Sequence, residues 1–109
     1  MDLYKKDSGS KKEVNLMDRM KADTIIHYRH NGQHIPSHLC KEIYDYIVNR
    51  HTPSSFLRAV IRNDLQNSLE LANTECRLNL HAIVNVFYCL APDACWGSLD
   101  KMKAWLNVD

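Results

Sequence analysis

The stretch "HYRHNGQHIPSHLC" (27–40) sets His27, His30, His34, His38 and Cys40 within fourteen residues, a density of nitrogen and sulfur ligands that would suit zinc. His30 and His34, and again His34 and His38, have the H-x3–5-H spacing of structural zinc sites. The pairs straddle Asn31-Gly32 and Pro36 rather than sharing one helix, and His27 and His30 would point to opposite faces of a strand. His30, His34 and His38 are therefore the candidate ligands, but the expectation is of locally hydrogen-bonded histidines with neither metal nor cofactor.

A second chemistry centres on "APDACWGS" (91–98). Cys95 precedes a helix start, where unpaired N–H groups lower a thiol pKa, and His38 or His51 could serve as base. No glycine-rich phosphate loop, HExxH motif, nucleophile elbow or suggestive pair of carboxylates accompanies it. With no set of nucleophile, base and orienting group, the expectation is a protein that is not an enzyme.

The same turn could bind. In an up-and-down bundle, the loops 50–56 and 91–98 fall at one end, each feeding a helix N-terminus with unpaired N–H groups and a partial positive charge. That reading makes Pro53, Ser54, Ser55 and Phe56 one wall of a site for a small anionic ligand or a host protein. Cys95, Trp96, Gly97 and Ser98 form the other, Gly97 allowing close backbone approach and Trp96 offering a flat face for stacking. A tryptophan in such a turn more often folds back and seals the core, so Trp96 reads first as a plug and second as a contact.

The elements that must hold these residues follow from periodicity. Residues 1–23 read as a tail, lysine-rich and interrupted by Ser and Gly, with Val14, Met17 and Met20 a brief amphipathic pattern. Thr24, Ile26 and Tyr28 alternate ahead of Asn31-Gly32, which predicts a short hairpin within 24–35, closed off by Pro36. Apolar residues at helical spacing then predict helices over about 37–50, 54–72, 74–91 and 98–107. Asp64 interrupts the second stripe, Asn73 or Thr74 caps the third helix, Pro92 ends it, and Ser98 caps the fourth. The fold class is all-α: a compact bundle of about four helices in a single domain spanning 24–109.

Composition bounds the partners. The chain has 109 residues, 45% of them apolar, and a formal net charge of +1, so no global field draws it to nucleic acid. A nucleic-acid regulator using Lys5, Lys6, Lys11, Lys12, Arg58 and Arg62 is an alternative without a recognisable recognition helix. Another alternative is an oligomeric assembly component with Phe56, Tyr88 or Trp105 as contacts. No apolar run approaches bilayer length, and "MDLYKKDSGSKKEV" lacks the apolar core of a secretory signal. The expected setting is a reducing cytoplasm, with no membrane partner and all four thiols free.

The order of "IPSHL" (35–39), Tyr46-Ile47, Pro53, "FLRAVIRNDL" (56–65), Pro92, "CWGS" (95–98) and Trp105 resembles a family of small tailed-phage and prophage proteins of no settled activity. The resemblance runs from Gly32 to Trp105, about two-thirds of the chain. Ser54-Ser55 stands where the family usually shows Gly-Gly or Pro-Gly, and Cys76 where an Asn is common. It implies an accessory protein in the bacterial host cytoplasm that binds, either inhibiting a host factor or sequestering a defence signal such as a nucleotide. It also marks Pro53, Phe56, Asn63, Asp64, Trp96 and Gly97 as patterned positions, which adds Asn63 and Asp64 to the candidate binding residues.

Overall fold

Asn31 and Gly32 take φ of 51° and 79°, the pair of positive values that a type I′ turn requires. Two-residue strands flank them, β1 (Arg29–His30) and β2 (Gln33–His34), antiparallel with Arg29 opposite His34. The computed structural model describes residues 22–107 of the chain. The Val14–Met20 pattern and the lysines of the first twelve residues lie outside them.

The remaining elements are helical: α1 (Ala22–Ile26), α2 (Ser37–Asn49), α3 (Ser55–Ile61), α4 (Leu65–Leu71), α5 (Thr74–Leu78), α6 (Leu80–Leu90) and α7 (Leu99–Leu106), with a 3-10 turn at Asp93–Cys95. The all-α class holds, but the described residues form seven helices rather than four. Three differences from the sequence expectation have local causes.

The alternation of Thr24, Ile26 and Tyr28 belongs to a helix, α1, and its start at Ala22 takes residues 22 and 23 out of the expected tail. The reason is Ile25, which is fully buried and anchors α1 against α2. Five residues are too few for a period of two to be told from one of 3.6.

The expected helix 54–72 breaks after Ile61. Asn63 adopts the left-handed conformation (φ 65°), its N–H bonds the Val60 carbonyl, and the Asp64 N–H reaches back to Ala59. This is the Schellman pattern that ends a helix. Asp64 then caps α4, accepting from the Asn67 N–H at 3.2 Å and the Asn67 side chain at 2.7 Å. The Asn67 bonds, helped by Arg62, hold the Asp64 carboxyl below the usual carboxylate range. A depressed folded-state pKa means this contribution is complete above the ordinary carboxylate range and is lost as pH falls through the lowered value. Asp64→Asn should therefore narrow the gap between urea midpoints measured at neutral pH and near pH ~3.

The expected helix 74–91 breaks at Asn79, which is buried. Its amide donates to the Glu75 carbonyl (2.9 Å), while its Oδ1 accepts the His34 N–H of β2 (3.0 Å). Gln33 reciprocates, its Oε1 taking the Ala82 N–H in the first turn of α6 (3.0 Å). The hairpin thus survives at two residues per strand because its backbone and side chains dock on the α5–α6 junction.

The core lies where α2, α3 and α6 converge, and Ile43, Tyr46, Leu57, Ile61, Ile83, Val86 and Phe87 are all but inaccessible there. Burying each such side chain contributes about 1.5–3 kcal/mol before entropy is counted. α3 packs on α4, α6 and α7, and the 3-10 turn packs on α7. None of the described helices is long and apolar enough to cross a membrane.

Candidate functional site

The turn 91–98 closes on the core. Pro92 opens the 3-10 turn, and the Cys95 carbonyl at its end accepts the buried Tyr46 hydroxyl at 2.6 Å. Gly97, at φ 110°, donates its N–H to the Ile61 carbonyl at 2.7 Å. That carbonyl is open only because Asn63 ends α3 there. Ser98 caps α7 by accepting the Lys101 N–H (3.2 Å). Trp96 lies half-buried against Phe87 and edge-on to Tyr88, its indole N–H shielded from solvent and without a described acceptor.

The turn therefore meets the C-terminal end of α3 and not the loop that begins it. α3 spans about 10 Å, so Ser54 and Ser55 stand a full helix length from the Gly97–Ile61 bond. The two helix starts are not brought together. At the α3 start, Pro53 and Phe56 are buried, the Ser54 N–H donates to Glu42 Oε1 (2.9 Å), and Ser55 accepts from Arg58 (3.2 Å). Asn63 and Asp64 make the break between α3 and α4.

Cys95 does not have the lowered pKa expected of it. Its side chain is completely buried, and desolvation pushes the thiol up to about 12. Neither candidate base is recorded beside it: His51 is exposed, and His38 instead faces Cys76, Nε2 to Sγ at 3.9 Å. Burial raises the Cys76 thiol too, so that contact joins a protonated thiol to an imidazole. Cys40 is likewise buried with its pKa raised by desolvation, whereas Cys89 is exposed. A disulfide exchange reagent at neutral pH should titrate one thiol in the folded protein and four in denaturant. Rapid modification of a second native thiol would contradict this burial pattern.

The histidines are dispersed. His30 sits edge-on to His81 with ring centroids 4.4 Å apart and lies 3.2 Å from the Asn85 amide, while His34 reaches Glu75 at 3.4 Å. Among the described residues, no three His, Cys, Asp or Glu side chains converge to hold a metal.

A concavity that the sequence reading did not single out lies between α1, the hairpin and α2. It encloses about 760 Å³, within the ~300–1,000 Å³ range of small-molecule sites. Its apolar surface comes from Ile26, Ile35, Cys40 and Tyr44, and Ile26 is 47% exposed there. The Cys40 thiol is turned onto the Ile35 and Pro36 carbonyls (3.7 and 3.6 Å). Arg29, His34, Ser37, Lys41 and Asp45 supply the polar lining.

The charges are unevenly answered. Asp45 is held by Lys41 at 2.7 Å and Asn49 at 3.2 Å, and the Lys41 bond above all lowers its pKa. Arg29 Nη1 donates to the backbone carbonyls of Tyr28 (2.8 Å) and Ile26 (3.2 Å). Among the described residues no carboxylate pairs with it. Cys40 and Tyr44 are four apart on α2, just beside the Leu39–Ile43–Tyr46–Ile47 core stripe. That widening was the signal in the sequence, hidden because a broad stripe reads as core.

No protein-family model matches the chain, and no curated protein and no solved structure matches it either.

Proposed function

We propose that this protein is a non-catalytic binding module that takes a small ligand in the cleft between α1, the hairpin and α2. The observation that carries this reading is an open apolar cleft with a positioned guanidinium that has no carboxylate partner among the described residues. In the turn 95–98, by contrast, the Cys95 carbonyl is taken by Tyr46, the Gly97 N–H by Ile61 and the Ser98 hydroxyl by the Lys101 N–H. Cys95, the nucleophile that the sequence offered in that turn, is buried with its thiol pKa raised. The sequence resemblance to small phage proteins supports an accessory role in a bacterial host cytoplasm, where the module would sequester a defence signal or inhibit a host factor.

Thermal melts across a panel of nucleotides, cyclic nucleotides and small carboxylates test this. A true ligand at a hundredfold excess over its dissociation constant stabilises by about 2.7 kcal/mol. That shift should disappear in Ile26→Glu, which puts a charge on the exposed side of the apolar lining. A shift retained by Ile26→Glu but lost on altering Ser98 would return the site to the 91–98 turn.

A second reading, self-association, is favoured by one observation. Leu65 and Leu69 of α4 are 67% and 42% exposed, four residues apart on one face. Of the contacts expected from sequence, Tyr88 is exposed, but Phe56 is buried and Trp105 half-buried beneath Arg50. For the nucleic-acid reading, Arg58 and Arg62 are engaged with Ser55 and Asp64.

A further inference from the structure

We infer that the cleft recognises an apolar monocarboxylate, with Arg29 pairing the carboxylate and Ile26, Ile35, Cys40 and Tyr44 enclosing the apolar body. This rests on the cleft being the binding site, and it adds the ligand's charge and class.

The charge follows from the charged side chains, the histidine and the thiol that line the cleft. Lys41 and Asp45 neutralise each other across 2.7 Å, with Asn49 completing the Asp45 carboxylate. His34 faces Glu75 at 3.4 Å. Cys40 is a protonated thiol donating to backbone carbonyls. Arg29 is left as the one cation lining the cleft without an anionic counterpart among the described residues. That single positive charge, unanswered among the described residues, matches a single negative one. A polyphosphate would bring further charges, for which the lining offers only Lys41, already paired with Asp45, and His34 beside Glu75.

The carboxylate is favoured by geometry. A guanidinium carries five donors in a rigid fork that fits a carboxylate with two parallel bonds. Here Nη1 is tethered to the Ile26 and Tyr28 carbonyls, and Nε and Nη2 have no partner among the described residues, which leaves them for a ligand. The same carbonyl belongs to Ile26, whose side chain lines the apolar surface, so one residue links anion anchor to apolar wall. The rest of the ligand is apolar because the wall offers aliphatic carbon, a thiol whose hydrogen is committed, and the Tyr44 ring.

Calorimetric titration of the full chain with octanoate, octanol and ATP, on wild type and Arg29→Gln, tests this directly. Octanoate should bind wild type more tightly than octanol, and Arg29→Gln should weaken octanoate about five- to tenfold while leaving octanol unchanged. The unchanged octanol affinity also shows that the variant keeps its cleft. Equal affinities for octanoate and octanol, with no effect of Arg29→Gln, would overturn the carboxylate assignment and leave the cleft as an apolar site. Tighter binding of ATP than of octanoate would overturn the ligand class. Failure of both octanoate and octanol to bind would overturn the cleft as a binding site altogether.

Discussion

Tyr46→Ala is expected to lower the unfolding free energy by about 3–5 kcal/mol, the cost of truncating a fully buried aromatic ring, and to leave a domain near the edge of stability. Tyr46 is completely buried near the end of α2 and ties two other elements to it. Its hydroxyl holds the Cys95 carbonyl at 2.6 Å, and its own carbonyl accepts Trp105 Nε1 at 2.9 Å. Arg50, in the left-handed conformation that ends α2, stacks its guanidinium 3.9 Å from the centre of the Trp105 ring. Tyr46→Phe keeps the ring and removes only the hydroxyl, leaving a buried carbonyl unanswered, so about 1–3 kcal/mol should be lost. Urea unfolding of both variants separates the packing from the hydrogen bond. Equal losses in the two would show that the ring contributes nothing beyond its hydroxyl.

The second large effect is at Trp96. Trp96→Ala should cost about 3 kcal/mol through lost contact with Phe87 and Tyr88. Trp96→Phe should cost much less, because it retains a ring and deletes an indole N–H that is shielded from solvent without a described acceptor. Both variants should retain the octanoate affinity of wild type once folded. Gly97→Ala should destabilise as well, by about 1–3 kcal/mol. The space beside Gly97 is open, the nearest atom to an added Cβ being Lys101 Nζ at 3.9 Å, so the cost comes from the backbone at φ 110°. A Trp96→Ala protein that is fully stable but no longer binds octanoate would reverse the assignment of Trp96 from plug to contact.

What was legible in the sequence were features whose cause is local. Asn31-Gly32 announces its turn because both residues tolerate positive φ, and Ser98, Asn73 and Pro92 mark helix ends by their own chemistry. The breaks at Asn63 and Asn79 were hidden because the apolar spacing runs through them. At Asn63 the signal was present, an asparagine followed by a capping aspartate, but the periodic stripe around it outweighed two polar residues. Asn79 is intelligible only with the hairpin beside it, since its Oδ1 is taken by His34, forty-five residues earlier.

The site was less legible still. "CWGS" drew notice through rare residue types, and those residues work as a clasp between α2, α3 and α7. Arg29 drew none, because an arginine before a turn is ordinary. Its importance comes from its having no carboxylate partner among the described residues once α1, β1 and α2 are assembled, a long-range fact that no local pattern carries.

On the proposed function, ligand enters the α1–hairpin–α2 cleft and the 95–98 turn is structural. An amide-resolved NMR titration of the full chain with octanoate tests it most directly. Binding in the cleft should give saturable shifts at Ile26, Arg29, Ser37 and Tyr44, with Trp96, Gly97 and Ser98 unmoved. Shifts centred on Trp96–Ser98, with the cleft residues silent, would contradict it.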